Sequence, residues 1–449
     1  MKKKISVLIK NKIKKFNKTI KVASDKSLSL RALMLASQCI GISKIKNLLE
    51  SEDVINCLKA LKTLGVKIIK KNNIYFIYGN GLSSFNTKKK ITKIFVGNSG
   101  TTARLLSGLL STNVSKFYLY GDKSMNKRDM SRVIEPLKKI GCFFYPPNKT
   151  TLPIILEGTS MPLAQRHIEK RGSAQIKSLI LLSALSIPGI TSVEEKKISR
   201  NHTELFLKKI NADIKIKKLK EGNLITLKGQ KNLHAFNYTI NSDPSSASFF
   251  IALTLLTPNS KLMIRDVICN STRTGFLKIL KEKMNANIKI KNLKKISGEP
   301  VGNILIKSSS LKSANCSKKL VPFLIDEYCI LFIIAAMTKG VSKFTGISEL
   351  RHKESDRIKS MEIGLNKIGI KTKSTYDSLK IYGNPDIKIR KKLDIFSNND
   401  HRVAMSWAIL GLVLGIKIKI HNFETVNTSF PNFLSLIQSL GGKFEIKKN

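Results

Sequence analysis

Six of the 13 arginines in this 449-residue chain stand in short polar segments, beside serine, asparagine, aspartate or glycine. They are Lys26-Ser27-x-Ser29-x-Arg31, Gly97-Asn98-Ser99-Gly100-Thr101-Thr102-Ala103-Arg104, Arg128, Arg200 in S-R-N-H-T, Lys353-Glu354-Ser355-Asp356-Arg357 and Asn399-Asp400-His401-Arg402. Ser173-Ala174-Gln175 and Asp326 fall in equivalent segments. Lysine is the default cation of this chain, since Lys and Arg together number 80. An arginine kept against that background marks a place where a planar, two-pronged donor matters, and carboxylates and phosphates are the groups such a fork fits. The glycines of the second segment let an anion approach the backbone closely at a helix start, where unpaired N–H groups already favour negative charge. These residue types together point to a site for multiply charged anions.

The elements that carry these segments recur about every 73 residues, six times. Each repeat opens with a turn-forming stretch and an apolar helix: DKSLSLRALMLAS, GNSGTTARLLSGLL, GSAQIKSLILLSAL, DPSSASFFIALTLL, IDEYCILFIIAAM and NDHRVAMSWAILGL. A short strand such as KFYLYG follows, then a one-faced helix such as MSRVIEPLKKIG, then alternating strands such as NLITLKG. The unit is β-α-β-α-β-β. Its first helix is apolar nearly all round and belongs in a core; its second belongs nearer the surface. Three units make one domain, and parallel core helices aim their N-termini, with their anion-favouring dipoles, at one surface.

Composition narrows the class. An apolar fraction of 42% supports real cores, and the length calls for two domains. The longest apolar runs, 328–337 and 404–416, fall short of the roughly 18 residues of a membrane span and read as buried helices. Lysines 10, 12, 14 and 15 interrupt the N-terminus before a signal core forms, so a cytoplasmic location is expected. The six cysteines, at 39, 57, 142, 269, 316 and 329, include no C-x-x-C pair, which argues against a zinc cage or disulfide framework. A net charge of +50 suits a nucleic-acid partner, but the lysines are spread along the whole chain rather than gathered in one patch, and no nucleic-acid or membrane partner is expected.

Taken in order, K-S-x-S-x-R, G-N-x-G-T-x-x-R, S-A-Q, K-E-x-D-R and N-D-H-R resemble the EPSP synthase family, the 3-phosphoshikimate 1-carboxyvinyltransferases, from about residue 20 to residue 440. The resemblance implies a two-domain inside-out α/β barrel, each domain three β-α-β-α-β-β repeats around a pseudo-threefold axis. Residues 24–240 would form one domain and residues 1–23 plus 241–449 the other, with the active site in the cleft between them. It implies transfer of the enolpyruvyl group of phosphoenolpyruvate to the 5-hydroxyl of shikimate 3-phosphate, on the shikimate pathway to chorismate, by a monomer without metal or organic cofactor. Carried over by motif, Lys26, Asn98, Gly100, Arg128, Gln175, Arg357 and Arg402 bind phosphoenolpyruvate. Lys26, Ser27, Arg31, Ser173, Ala174, Gln175, Arg200, Asp326 and Lys353 hold shikimate 3-phosphate. Asp326 is the candidate base and Glu354 the proton donor, with Lys26 assisting.

Other polar residues have plainer readings. Arg104 is equally a structural fork and a ligand; His401 orients a neighbour; Asp243 and Ser245 cap a helix; Asp356, Arg351 and Arg273 are scaffold; Ser29 is a first-turn residue. Three positions depart from or divide the family. Thr428 stands where many members have lysine, Asp129 follows Arg128 where proline is usual, and Gly100 implies sensitivity to glyphosate, which members with alanine there tend to exclude. The rival enzyme of the same fold, acting on a UDP-linked amino sugar, commonly uses a mobile-loop cysteine as acid, and residues 108–125 contain none. The rival of another class is a basic nucleic-acid-binding protein, which strong salt dependence would reveal.

Overall fold

A computed structural model of the protein describes residues 4–85, 87, 89–389 and 392–448. The six apolar openings form the helices Lys26–Ser37, Gly100–Leu110, Ala174–Ala184, Pro244–Leu256, Tyr328–Ala336 and His401–Leu414, each buried along most of its length. Five begin under a side-chain cap. Asp25, Ser99, Ser173, Asp243 and Asp400 accept the backbone N–H of Leu28, Thr102, Ile176, Ser245 and Arg402. Such a cap satisfies one of the orphan donors of the first turn. The fifth helix has no side-chain cap, and Asp326 lies in the turn before it rather than in the helix.

The second helices are Glu52–Thr63, Ser131–Ile140, His202–Lys209, Gly275–Glu282, Arg357–Lys367 and Phe433–Ser439. They bury one face: Ser131–Ile140 turns Val133, Ile134, Leu137 and Ile140 inward and stops at Gly141, whose φ of 114° needs a residue without a Cβ.

Six four-stranded sheets complete the repeats. In three of them the strand before the core helix lies parallel to the strand after it, and the closing hairpin adds on the far side, as in Ile91–Phe95, Lys116–Tyr120, Ile154–Glu157 and Phe143–Tyr145. Three sheets are completed from elsewhere in the chain. Asn237–Thr239 pairs with Ile40–Lys46, Asn17–Ile20 pairs with Lys261–Ile268, and Ile5–Ile9 is inserted antiparallel between Ile418–His421 and Phe444–Lys448. The repeats are thus less self-contained than six consecutive β-α-β-α-β-β units. Several outer edge strands are lined with exposed lysine, for example Lys215, Lys217 and Lys218, or Lys289, Lys291, Lys294 and Lys295. Charge on an open edge discourages pairing with another chain.

The chain divides into two compact units, residues 1–23, 241–295 and 300–449 in one and residues 24–240 with 296–299 in the other. Residues 296–299 group with 24–240. There the Ser297 hydroxyl accepts from Thr239 N at 3.1 Å, and Glu299 meets buried His202 at 2.6 Å. Within each unit the core helices pack on one another with their N-termini together. Gln175 reaches Thr101 at 2.9 Å, while further along a Cβ on Gly108 would stand 2.4 Å from Leu179 O, so only glycine permits that approach. In the other unit Ser245 bonds Glu327 across two helix starts. Helices inside and sheets outside give the inside-out α/β arrangement. Among the described residues, no helix is long and apolar enough to cross a membrane.

Candidate active site

In the unit built on 24–240, the turn before the second core helix is a compact donor array. Gly97 has φ of 61°, and a Cβ there would fall 2.2 Å from Asn56 Nδ2, so the position requires glycine. Asn98 Nδ2 donates to Asp122 at 2.8 Å, and Arg128 Nη2 donates to Asn98 Oδ1. Gly100 leaves room for two guanidinium groups: an added Cβ would be 2.5 Å from Arg104 Nη1 and 3.1 Å from Arg128 Nη1. Arg104 Nη1 donates to Gly100 O at 3.2 Å and to Gln175 Oε1 at 3.1 Å. The structure therefore gathers Asn98, Gly100, Arg104, Arg128 and Gln175. Arg128 Nε is buried with no hydrogen-bond partner among the described residues, an arrangement native proteins keep where a ligand or water completes it.

Lys26 opens the first core helix and pairs with Asp53 at 3.0 Å, with most of its side chain buried. Asp53 and Asn56 lie three residues apart on the helix Glu52–Thr63, so one helix face touches both Lys26 and the Gly97 turn. Arg31, one turn in, is 4% exposed and donates to Thr203 Oγ1 (2.8 Å), Ser178 Oγ (3.0 Å) and Ser27 O (3.1 Å). Ser29 is buried, donating to Asp25 O at 2.8 Å and accepting from Leu49 N at 3.2 Å. Ser173 caps the helix that Ala174 begins, and Arg200 sits between the strand Ile190–Glu195 and the helix His202–Lys209.

In the other unit the charged groups centre on Arg357, the first residue of its helix and 1% exposed. Its Nη2 pairs with Glu354 at 2.6 Å, its Nε with fully buried Asp400 at 2.9 Å, and its Nη1 faces Asp326 at 3.6 Å, longer than a hydrogen bond. Burial by itself lowers the pKa of this guanidinium; Asp400 and Glu354 outweigh it and hold the pKa well above the ordinary arginine value. Half-buried Lys353 titrates below an ordinary lysine, chiefly through desolvation and also through Arg357, while Asp326 and Glu354 pull the other way. Arg402, at the start of the last core helix, is 7% exposed, and its Nε has no hydrogen-bond partner among the described residues. Asp400 both caps that helix and charges Arg357.

The remaining residues fall into place around these clusters. Arg351 holds the carbonyls of Tyr376 and Thr375 and pairs with Asp356, itself a helix cap. Arg273 is buried, with Nη2 on Asp243 and Ser245. His401 is buried at its helix start. Asp129 accepts from the backbone N–H and hydroxyl of Ser131. Thr428 closes its own turn on Thr425 O at 2.7 Å. Four partners escaped sequence reasoning: Asp53, Asp122, Thr203 and the dual role of Asp400. Only Asp400 carried a signal, its place inside N-D-H-R. All six cysteines are free thiols, and burial pushes five of them up to about 12 and Cys269 to about 11, so none is a ready acid or nucleophile. Among the described residues no group of three His, Cys, Asp or Glu side chains is placed to hold a metal ion.

The family model for EPSP synthase (3-phosphoshikimate 1-carboxyvinyltransferase) matches residues 10–437. The chain belongs to the EPSP synthase family. The 3-phosphoshikimate 1-carboxyvinyltransferase of Petrotoga mobilis is 41% identical over 428 residues, covering 94% of this chain and 97% of the relative. That of Vesicomyosocius okutanii is 40% identical over 422 residues, covering 94% and 95%. The structure of EPSP synthase from Acinetobacter baumannii superposes with a TM-score of 0.85 at 36% identity, covering 99% of this chain and all of that one. The enolpyruvyl transferase NikO from Streptomyces tendae, at 11% identity and a TM-score of 0.77, shares the fold. Membership of the EPSP synthase family leaves the UDP-sugar and nucleic-acid readings without support.

Proposed function

We propose that the protein transfers the enolpyruvyl group of phosphoenolpyruvate to the 5-hydroxyl of shikimate 3-phosphate. Lys26, Asn98, Gly100, Arg128, Gln175, Arg357 and Arg402 take the carboxylate and phosphate of phosphoenolpyruvate. Lys26, Ser27, Arg31, Ser173, Ala174, Gln175, Arg200, Asp326 and Lys353 take shikimate 3-phosphate. Asp326 removes the 5-hydroxyl proton as that oxygen attacks C2 of phosphoenolpyruvate, and Glu354, with Lys26 assisting, protonates the methylene carbon. The product of addition is a tetrahedral ketal. Phosphate then leaves with the C–O electron pair, a methyl proton returns to Glu354 to form the vinyl group, and the proton on Asp326 goes to the departing phosphate. No step requires a cofactor, and cationic neutralisation of the phosphate assists its departure.

The observation that carries this reading is the Arg357 cluster, where candidate base, candidate acid and an anion-binding cation stand together, 3.6 Å and 2.6 Å from one guanidinium. A substrate anion at Arg357 competes with Glu354 for the same fork, which favours the protonated Glu354 that addition needs. The enzyme is proposed to work as a monomer in the cytoplasm. The deciding experiment mixes both substrates with purified protein and follows phosphate release and product mass. Phosphate formed only with both substrates, and lost in a folded Asp326→Ala variant, is the expected result; full turnover in that variant would remove Asp326 from the role of base.

A further inference from the structure

The helix that begins at Ala174 carries a lysine one turn in, on a helix otherwise buried for its apolar character. Lys177 is 0% exposed, and its ammonium lies 2.7 Å from Glu195 Oε2 and 2.6 Å from Glu204 Oε1, both carboxylates 2% exposed. A charge trio with no access to water is expensive to desolvate, and replacing such groups by apolar side chains is often neutral or stabilising. Its persistence therefore asks for a reason other than packing. Position supplies one. Glu195 is the last residue of the strand Ile190–Glu195, and Glu204 lies in the first turn of the helix His202–Lys209. The six residues between strand and helix include Arg200.

Further bonds hold both ends of that segment in place. Glu195 Oε2 also accepts the backbone N–H and hydroxyl of Ser199 at 3.2 and 2.9 Å, directly before Arg200, and Glu195 Oε1 accepts from Asn223 at 2.9 Å. On the other flank, Thr203 Oγ1 meets Ser178 Oγ at 2.6 Å, next to Lys177. Lys177 N in turn donates to Ser173 O at 3.1 Å, so the lysine is built into the turn that presents Ser173 and Ala174. We propose that Lys177 is a positioning residue, which through Glu195 and Glu204 fixes both ends of the segment bearing Arg200 and registers that guanidinium to the Ser173–Gln175 helix start, thereby setting affinity for shikimate 3-phosphate. This rests on the reading of Arg200 as a contact of that substrate. Supporting groups that lock the geometry of binding residues commonly govern affinity without touching the ligand.

Lys177→Met leaves two buried carboxylates uncompensated and is liable to fail in folding, so the decisive variant is Glu204→Gln. It keeps shape and the Lys177–Glu195 pair while releasing the helix-side anchor. Each variant is titrated with shikimate 3-phosphate by calorimetry, its KM for phosphoenolpyruvate is taken from phosphate release, and its melting temperature is recorded, with Arg200→Ala alongside. The expected result is a dissociation constant for shikimate 3-phosphate raised about tenfold in Glu204→Gln, in the same direction as Arg200→Ala, with the KM for phosphoenolpyruvate within about twofold of the parent. Weakened binding in Arg200→Ala but not in Glu204→Gln overturns the role of the trio while leaving Arg200 as a substrate contact. Loss of both substrates in equal measure, with a lowered melting temperature, also overturns it, as general destabilisation. Unchanged binding in Arg200→Ala overturns the reading of Arg200, and this inference with it.

Discussion

Gly100→Ala tests the geometry of the candidate phosphoenolpyruvate cluster with a single methyl group. The new Cβ would lie 2.5 Å from Arg104 Nη1 and 3.1 Å from Arg128 Nη1. Non-bonded heavy atoms settle at about 3.5 Å, so Arg104 must withdraw by about 1 Å and Arg128 by a few tenths. Arg104 Nη1 now donates at 3.2 Å to Gly100 O and at 3.1 Å to Gln175 Oε1, and such a retreat carries it beyond hydrogen-bonding distance of both. Hydrogen bonds from a charged donor contribute about 1.5–3 kcal/mol each, and water recovers part of this because Arg104 is half-exposed. A net loss of about 1.4 kcal/mol corresponds to a KM for phosphoenolpyruvate raised about tenfold. The backbone at Gly100 is helical and itself accepts alanine, but the lost Arg104 hydrogen bonds offset that gain of about 1 kcal/mol, and the melting temperature should hold or fall slightly. Phosphate release against phosphoenolpyruvate at saturating shikimate 3-phosphate, with and without glyphosate, reads the result. Inhibition by glyphosate should weaken by more than the KM rises. A KM within about twofold of the parent, with undiminished inhibition, would refute the placement of these guanidinium groups in the pocket.

Asp400→Asn keeps a capping side chain but strips Arg357 of its most buried anion. It should cost about 3 kcal/mol and several degrees of melting temperature, with kcat falling; an unchanged melt would count against Asp400 as the principal partner. Lys353 titrates below 10.5, so the unfolded chain binds more protons in the window under that value and the stability it contributes rises with pH there. Substrate affinity has the opposite sign, because the cation disappears over the same window. The KM for shikimate 3-phosphate should climb as pH approaches 10.5 from below, and Lys353→Arg should flatten that climb; parallel profiles in the two proteins would exclude Lys353 as the titrating group. Ser29→Ala leaves the buried Leu49 N–H unsatisfied, a loss of about 1–2 kcal/mol seen in thermal melts, with both KM values unchanged. A selective rise in either KM would instead make Ser29 a ligand.

The sequence by itself determined the repeat, the burial of six helices and the place of the charged residues at their starts. These are local properties: apolar residues on every face of a helix leave it nowhere to go but a core, and Asp25, Ser99, Ser173, Asp243 and Asp400 are caps that act within three residues of themselves. The motif arginines were legible for the same reason, since their neighbours in sequence are their neighbours at the helix start. What only the tertiary structure decided is who meets whom over long separations. No periodicity announces that Ile5–Ile9 completes the last sheet, or that residues 296–299 leave their own unit. Nor could spacing reveal that Gln175 steadies Arg104, that Asp53 holds Lys26, or that a lysine in the middle of an apolar helix finds two glutamates waiting in the interior. Polar contacts of that kind depend on angles and distances between packed elements, and a hydrogen bond is made or lost within about half an ångström. Helix and strand periods set those elements, but the packing of one repeat against the next sets that half ångström.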